Sequence, residues 1–468
     1  MAELVDQPLS EIALALRGGR LAAEAIAEAA IDRHRRVGAA LNAYKAFDAD
    51  KVLAQARAAD AAFKSGRTPG ALHGVPVSIK DLFGVGGFPT YAGSPRPLPA
   101  RFETEGSLLR ALRAQLAVVA GKSHTVEFAY GALGTNPHWG TPRNPWDAAR
   151  HRVPGGSSSG AGVSLWEGSA LLAIGSDTGG SVRIPASMTG TVGLKTTIGR
   201  WATDGIVPLS PSLDSVGALA RSVADLCYGF GALDPAWGEP EAFLRALGPP
   251  ELMGVRLGLS EKFLWDDCTP ELARAVKAAL DRLTAKGARI VPLDMNEFSE
   301  AYELHLKGSL ISAELAAFLH DELPEWASSL DTTVRKRIEG GSEIPAREFV
   351  QRQRRFAVLA ARVGERLGEV DALAAPTVTV TPPMVEEVAT LERYAVANRG
   401  AFHNTCGANL FGLCALTLPV ALDSSGMPVG LQLIAAGGRD ECLLGLALAI
   451  ESVLGPPRSH LGAPPMCR

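Results

Sequence analysis

The most informative stretch of this sequence is Gly175-Ser176-Asp177-Thr178-Gly179-Gly180-Ser181-Val182-Arg183. It continues an apolar run over residues 169–175, whose composition predicts a buried strand. The glycines of the stretch carry no side chains that would keep the backbone away from another group. Because the stretch contains serines but no histidine, a serine nucleophile at this place needs a different kind of base.

Two further segments have the same glycine-rich character, and one of them offers a base. A lysine follows a short apolar run in the segment Gly74-Val75-Pro76-Val77-Ser78-Ile79-Lys80-Asp81, and serines cluster in the segment Pro154-Gly155-Gly156-Ser157-Ser158-Ser159-Gly160. Burial away from water disfavours the ammonium form of lysine, so a buried Lys80 would have a lowered pKa and could accept a proton. Together the three segments predict a Ser–Ser–Lys relay for acyl transfer.

This combination closely resembles the amidase signature family, whose members are serine hydrolases that cleave amide bonds and sometimes ester or carbamate bonds. The resemblance is strong over residues 70–225 and continues more weakly through residues 371–377 and 426–432. It implies a Ser–cis-Ser–Lys triad, in which a neutral lysine deprotonates one serine and that serine deprotonates the nucleophile. We therefore expect this chain to have the fold of the family, and we expect its site residues at the positions that match the family's motifs.

The resemblance implies a role for each matching residue. Lys80 is the base, Ser157 is the serine that follows a cis peptide bond, and Ser181 is the nucleophile. The other implied roles are an oxyanion hole formed by the N–H groups of Thr178, Gly179, Gly180 and Ser181, support of the nucleophile loop by Ser158, Asp177 and Arg183, and substrate contacts at Ala129 and Tyr130. Serine–lysine acyl transfer needs neither a metal ion nor an organic cofactor, so none is expected.

Short apolar runs alternate with helical segments and Gly/Pro turns along much of the chain, which predicts an α/β fold. One βαβ unit is predicted from strands at 255–260 and 289–293 with a helix over roughly 270–286 between them. The resemblance implies a single amidase-signature domain over residues 1–468, with a central mixed twisted β-sheet covered by helices on both faces. Its predicted parts are N-terminal helices at 1–65, the signature core at 70–225, a helical cap-like excursion at 300–368, and a C-terminal sheet and helix at 370–455.

The composition of the chain narrows the class of protein. Of its 468 residues, 47% are hydrophobic and 21% are charged, which is close to the average for globular proteins. A net charge of −4 favours neither nucleic acid nor an anionic membrane as a partner. The sequence has no run of about 18 apolar residues that would predict a spanning helix, and the acidic start Met1–Asp6 is not typical of a signal peptide. We therefore expect a cytoplasmic enzyme.

Six cysteines are scattered through the chain without C-x-x-C spacing and without an accompanying histidine cluster. Such a pattern is not typical of a zinc site. In a chain of this length it is typical of buried thiols that behave as small hydrophobic side chains in a reducing compartment.

Two short motifs resemble other active-site signatures but lack the context that these signatures need. Gly121-Lys122-Ser123 matches the end of a phosphate-binding loop, but Leu116 stands where the first glycine belongs. Gly156–Gly160 fits the G-x-S-x-G pattern with Ser158 as formal nucleophile, but a nucleophile elbow follows a buried strand. The preceding residues 149–154 are charged and end in proline, so neither function is assigned.

The expected reaction is hydrolysis of a small-molecule amide. Phe128–Pro145 resembles stand-alone bacterial amidases, and the helical region 300–368 and the loops at 200–215 are expected to shape the acyl or amine pocket. Carbamate or ester hydrolysis needs no change of triad and stays open. A further alternative is the amidase component of a glutamyl-tRNA amidotransferase, although in that branch glutamine usually follows the arginine, whereas Ile184 follows Arg183 here.

The expected partners follow from this chemistry. A small-molecule amide or carbamate is the substrate, nucleic acid and membranes are not expected to bind, and a homodimer is left open. A catalytically silent binding or scaffold protein with the same fold is disfavoured, because all three triad positions are occupied by the required residue types.

Overall fold

The computed structural model describes residues 4–468. Within them, eleven strands form one mixed sheet. The first three residues of the predicted N-terminal helical region lie outside the described residues. The strands are β1 (Tyr44–Phe47), β2 (Pro76–Lys80), β3 (Val118–Ser123), β4 (Leu172–Asp177), β5 (Val192–Lys195), β6 (Ser215–Ala220), β7 (Arg256–Leu259), β8 (Arg289–Pro292), β9 (Ala372–Pro376), β10 (Cys414–Leu422) and β11 (Pro428–Ala435). Their order across the sheet is β1-β3-β2-β4-β6-β5-β10-β11-β9-β7-β8.

The sheet combines parallel and antiparallel pairs. Strand β2 runs parallel to both β3 and β4, whereas β4 pairs antiparallel with β6 and β10 pairs antiparallel with β11. Every residue of β2, β4 and β11 is buried. Since successive side chains of a strand point to opposite faces, this full burial shows that both faces of the sheet are covered. The predicted α/β fold with a covered mixed sheet is confirmed.

Seventeen α-helices lie within residues 4–468. They are α1 (Leu9–Arg17), α2 (Ala23–Leu41), α3 (Ala49–Lys64), α4 (Ser107–Ala114), α5 (Ala161–Glu167), α6 (Arg183–Thr189), α7 (Val223–Leu233), α8 (Pro240–Leu247), α9 (Pro270–Thr284), α10 (Asn296–Leu306), α11 (Leu310–Glu322), α12 (Thr332–Ser342), α13 (Ala346–Leu367), α14 (Leu391–Phe402), α15 (Cys406–Leu410), α16 (Asp440–Leu454) and α17 (Pro457–Leu461). Short 3-10 turns lie at Leu4–Asp6, Ala100–Glu103, Glu127–Ala129, Pro324–Ser329, Val385–Val388 and Pro465–Cys467.

The predicted βαβ unit is confirmed, because β7 and β8 pair in parallel and α9 connects them. Element ends differ by a few residues elsewhere. Strand β4 begins at Leu172 rather than 169 and continues through Ser176 to Asp177, where it pairs with Ser215 of β6. Backbone pairing rather than apolar composition determines where a strand ends. The first three residues of the stretch 175–183 therefore lie on β4, a central strand of the sheet.

The six cysteines are all free, and five of them are buried as the sequence predicts. Cys442 is exposed, which corrects the prediction for this residue: α16 buries the next residue, Leu443, and leaves the thiol outside. None of the helices within residues 4–468 combines the length and apolarity needed to cross a membrane. The side chains described over the same range include no group of three or more His, Cys, Asp or Glu residues arranged to hold a metal ion.

Candidate active site

The candidate base and the candidate nucleophile loop lie at one edge of the sheet. Lys80 is the last residue of β2, and Asp177 is the last residue of the neighbouring β4. Because these two strands are parallel, their carboxyl ends meet at the same edge, which is where open α/β sheets commonly bind ligands. Lys80 is completely buried there.

Lys80 contacts two serines with its terminal nitrogen. The Nζ atom lies 2.8 Å from Ser157 Oγ, 3.0 Å from Ser176 Oγ and 3.3 Å from the carbonyl oxygen of Ser176. Burial lowers the pKa of Lys80 to about 7, and this effect outweighs the opposing charges of Asp177 and Asp214. A substantial fraction of Lys80 is therefore neutral near pH 7 and able to take a proton from Ser157.

Glycine at position 156 lets the chain bring Ser157 to Lys80. A Cβ atom on Gly156 would lie 2.6 Å from the backbone nitrogen of Gly134, so no larger residue fits. The peptide bond between Gly156 and Ser157 is cis. The carbonyl oxygen of Ser157 accepts a 3.1 Å hydrogen bond from the N–H of Val126, which ties this loop to the neighbouring segment.

The nucleophile loop is shaped by the Asp177 carboxylate. It accepts hydrogen bonds from the N–H groups of Gly180 at 2.8 Å and Val182 at 3.0 Å. Gly180 has a φ of +128°, and a Cβ atom there would lie 2.2 Å from Thr405 Oγ1, so the loop requires glycine. The Ser181 carbonyl accepts the N–H of the predicted supporting residue Ser158 at 3.2 Å.

Three of the four predicted oxyanion-hole residues line the pocket beside the loop: Thr178, Gly179 and Ser181. The N–H groups of Gly179 and Ser181 have no hydrogen-bond acceptor among residues 4–468. The fourth residue, Gly180, donates its N–H to Asp177 instead. The Gly180 N–H is therefore not available to an oxyanion, because it is already bonded to the Asp177 carboxylate.

Arg183 and Asp177 form a fully buried ion pair behind the loop, with Arg183 Nη2 2.9 Å from Asp177 Oδ1. Burial by itself would raise the pKa of Asp177, but the Arg183 guanidinium outweighs it and holds this pKa well below its usual range. Sequence reasoning did not identify the partners that complete the network. Arg183 also donates to the Thr405 carbonyl at 2.9 Å, to Gln432 Oε1 at 2.7 Å and to Asn409 Oδ1 at 2.7 Å.

Replacing Arg183 with methionine is expected to lower the free energy of unfolding by about 3–5 kcal/mol, because the Asp177 carboxylate would remain buried without its cation. Urea unfolding followed by tryptophan fluorescence measures this loss. Arg256→Met is the control, since Arg256 pairs with Asp371 at the surface and its removal should change stability little. Equal losses in the two variants would contradict the buttressing role of Arg183.

Asp214 is a second carboxylate of the site, half-buried, and sequence reasoning did not identify it. Its Oδ1 accepts a 2.5 Å hydrogen bond from Thr178 Oγ1, and its Oδ2 accepts the N–H groups of Leu209 and Ser210 at 3.0 and 3.1 Å. Burial raises the pKa of Asp214 to about 6. Asp214 thus joins the start of the nucleophile loop to the 209–214 segment. The neighbouring residues Leu213 and Ser215 form no motif that would have marked Asp214 as part of the site.

The pocket in front of Ser181 has about 430 Å³ of space free of protein atoms, part of it open to solvent. Ala129 and Tyr130, the predicted substrate contacts, are among the residues that line it. The backbone reaches this position through Phe128 and Ala129, whose φ angles of +46° and +57° lie in the left-handed region. The remaining lining residues include Gly131, Ala132, Ile184, Leu209, His305, Ile311, Arg337, Asn398, Phe402 and Cys406.

The pocket wall draws on the two regions that were expected to shape it. Leu209 comes from the 200–215 loops, and His305, Ile311 and Arg337 come from α10, α11 and α12. Cys406 is the only thiol on the wall within the described chain. Burial raises its pKa to about 12, so it is not a thiolate near neutral pH and is no competitor to Ser181 as nucleophile.

The two competing motifs have a different environment from the one their functions need. Lys122 lies in β3 rather than in a loop, and its Nζ is 3.1 Å from Asp81 and 2.9 Å from Thr90 Oγ1. Residues 149–154 form no strand before Ser158, apart from an isolated bridge at Arg152. Neither a phosphate-binding loop nor a nucleophile elbow is present at these positions.

Comparison with known proteins assigns the chain to a family. The family described as Amidase matches residues 25–444. The chain is 47% identical over 456 residues to a 2-amino-5-chloromuconic acid deaminase of Comamonas testosteroni, covering 97% of this chain and 98% of that relative. It is 34% identical over 443 residues to an amidase of Pseudomonas putida, covering 91% and 92%. A crystal structure of an amidase, 31% identical, superposes with a TM-score of 0.86 over 96% of this chain and 100% of that one. This chain belongs to the amidase family of hydrolases.

Proposed function

We propose that this protein hydrolyses the C–N bond of a small-molecule amide through an acyl-enzyme formed at Ser181. The observation that carries the proposal is the contact of 2.8 Å between the buried Nζ of Lys80 and Ser157 Oγ, at the same sheet edge as the Ser181 loop. A lysine with a pKa of about 7 is a suitable base at neutral pH. Membership of the amidase family supports the same chemistry.

In the first half of the reaction, neutral Lys80 takes a proton from Ser157 while Ser157 takes the proton of Ser181. The oxygen of Ser181 then attacks the substrate carbonyl, and negative charge develops on the carbonyl oxygen. The unpaired N–H groups of Gly179 and Ser181 are placed to stabilise that charge. As the C–N bond breaks, the relay returns a proton to the departing nitrogen, so ammonia or an amine leaves neutral.

In the second half, water attacks the acyl group on Ser181. The same relay removes a proton from this water and finally restores the hydroxyl of Ser181, so that a carboxylic acid is released. The roles proposed for Asp177, Arg183 and Ser158 are to hold the loop in place for both halves. Ala129 and Tyr130 are proposed to contact the substrate from the pocket wall.

Partitioning of the acyl-enzyme provides the test. An amide and an ester that share one acyl group must form the same acyl-enzyme, so added hydroxylamine should trap both as the same hydroxamate. We expect the ratio of hydroxamate to free acid to be identical for the two substrates. Ratios that depend on the leaving group would contradict a common acyl-enzyme. Including the matching carbamate in the series shows which bond the enzyme prefers, because the triad itself does not discriminate among them.

Hydrolytic deamination is a second candidate, favoured by the 47% identity to the Comamonas testosteroni deaminase. In such a reaction water replaces nitrogen at a C=N carbon, giving a carbonyl compound and ammonia. We propose that the oxygen of Ser181 would add to that carbon, in the position otherwise taken by an amide carbonyl, while the C=N double bond opens to an amine. Ammonia then leaves, water adds to the same carbon, and the bond to the Ser181 oxygen breaks as the keto product is released. Incubation with an amino-substituted muconic acid distinguishes the candidates: deamination releases ammonia and a keto product, whereas amide hydrolysis leaves this compound unchanged.

A further inference from the structure

A second cavity opens beside the Ser181 pocket, between α10, α11, α12 and α14. This outer chamber is defined by His305, Lys307, Ser309, Lys336, Arg337 and Arg399. About 1170 Å³ of space there is free of protein atoms, part of it open to solvent. Five residues line both cavities, namely Tyr130, His305, Arg337, Asn398 and Phe402. The chamber therefore adjoins the pocket in which Ser181 lies, with these five residues between the two.

The outer chamber carries positive charge that the protein leaves uncompensated. Lys307, Lys336, Arg337 and Arg399 line it, and its lining includes no Asp or Glu. Within residues 4–468 none of these four cations forms a salt bridge, although many other arginines of the chain do. Uncompensated charges of one sign on a concave surface focus the local field and attract an oppositely charged ligand.

Within residues 4–468 no Asp or Glu carboxylate forms an ion pair with any of these four cations, and two nearby acids have other partners. Asp331, at the start of α12, accepts the N–H of Thr333 at 2.9 Å. Glu348 of α13 pairs with Arg352 at 2.9 Å. The four cations therefore keep their charged groups free of direct carboxylate contacts and available to a ligand.

Arg337 connects the two cavities and is held in a fixed orientation. Its guanidinium lies 3.8 Å from the centroid of the Tyr130 ring, and Nη1 donates to the Tyr130 carbonyl at 2.7 Å. A guanidinium has five N–H donors, so the others remain available for a planar acceptor such as a carboxylate. Arginine fixed by stacking loses little conformational freedom when it binds such a group.

Two polar atoms of the chamber lack partners as well. His305 Nδ1 and Ser309 Oγ are buried and have no hydrogen-bond partner within the described residues. Burial lowers the pKa of His305 to about 4, and the neighbouring Arg337 charge acts in the same direction, so the imidazole is neutral near pH 7. Buried polar atoms without partners are uncommon in folded proteins and are expected to be satisfied by a ligand or by water.

We infer that the outer chamber binds a carboxylate of the substrate, so that the enzyme acts on compounds carrying an acid group at the end remote from the reacting C–N bond. Arg337 binds the carboxylate where the two cavities meet, and Lys336 and Arg399 attract it from the rim. The reacting carbon then lies at Ser181. This inference rests on the proposed function of Ser181, and it adds the class of substrate: monoamides or amino derivatives of dicarboxylic acids.

Protection of Ser181 from a small uncharged fluorophosphonate tests the inference without knowledge of the true substrate. Adipate should slow labelling of the wild-type protein at a concentration about tenfold lower than 1,6-hexanediol, an uncharged chain of the same carbon number with no bond that the enzyme can hydrolyse. In the double variant Lys336→Gln/Arg399→Gln this preference should fall at least about fivefold. The matched control is Arg354→Gln/Arg393→Gln, which removes the same charge from exposed positions outside the chamber and should protect like the wild type.

The outcomes separate failure of the inference from failure of the proposed function. If wild-type protein is labelled but adipate and 1,6-hexanediol protect equally, the chamber does not select carboxylates and the inference is overturned, while the assignment of the nucleophile stands. If no labelling occurs, the proposed function fails. Titration calorimetry with adipate on the wild type, the chamber variant and the control then tests whether the chamber binds a carboxylate. Binding that weakens in the chamber variant but not in the control supports the inference; absent binding, or equal affinity in all three proteins, overturns it.

Discussion

Ser181→Ala is expected to lower kcat/KM by at least about 10⁴-fold and to leave no fluorophosphonate adduct on the protein. The variant keeps the pocket and the N–H groups of Gly179 and of residue 181, but it has no atom that can form the acyl-enzyme. Only the hydroxyl is lost, so the fold should be unaffected. Intact-mass spectrometry after treatment with the probe detects the adduct, and ammonia release from an amide measures the rate.

Two other serines provide the controls for this result. Ser158→Ala tests the residue that a G-x-S-x-G interpretation would make the nucleophile, and the adduct should persist in it. Ser187→Ala removes a buried hydroxyl that has no partner among the described residues and lies on α6, just after the nucleophile loop. It should retain both labelling and turnover. An adduct that survives in Ser181→Ala, or that disappears only in Ser158→Ala, would refute the assignment of Ser181.

Lys80→Met is expected to reduce kcat/KM by about 10³-fold or more, since general-base assistance alone contributes about 10²–10⁴. Methionine has a similar length but cannot accept a proton from Ser157. In the wild-type protein kcat/KM should rise with pH through about 7, because lysine acts as a base only after it has lost its proton and its pKa is lowered to about 7. The variant should lose this rise.

The pH profile distinguishes a catalytic role of Lys80 from a merely structural one. Lys195→Met is the matched control, because Lys195 is also completely buried but donates to the carbonyls of Leu413 and Thr196. We expect its loss to affect stability and yet to leave the pH-dependent rise in place. A wild-type profile that is flat between about pH 6 and pH 8 would be incompatible with Lys80 as the base.

Much of the candidate site is predictable from sequence because its parts are local. Lys80 follows its own strand, and Ser181 belongs to a glycine-rich loop whose conformation depends on adjacent residues such as Gly180 and Asp177. Parallel pairing of β2 with β4 then suffices to bring the two segments to one edge. By contrast, the engagement of the Gly180 N–H by Asp177 depends on side-chain orientation within the loop, and residue types alone do not reveal it.

The rest of the site comes from segments that are far apart in the chain. Thr405, Asn409 and Gln432 reach Arg183 across more than 200 positions, and their own sequence context carries no catalytic motif. The same holds for Asp214, whose role depends on its contact with Thr178. Such contacts arise from the packing of helices and strands. They cannot be predicted from the periodicity of the sequence or from the spacing of its motifs.

The sequence by itself determined the family, the α/β class and the identity of the three residues proposed for the relay, because short motifs of glycine, serine and lysine specify local backbone geometry. Only the tertiary structure decided how these residues behave. The pKa of Lys80 falls to about 7 because the assembled sheet and loops exclude water from it. The cations of the outer chamber become a single site only when α10, α12 and α14 pack around one cavity. Burial and convergence of charge are properties of the folded chain, since both depend on which distant segments exclude solvent together.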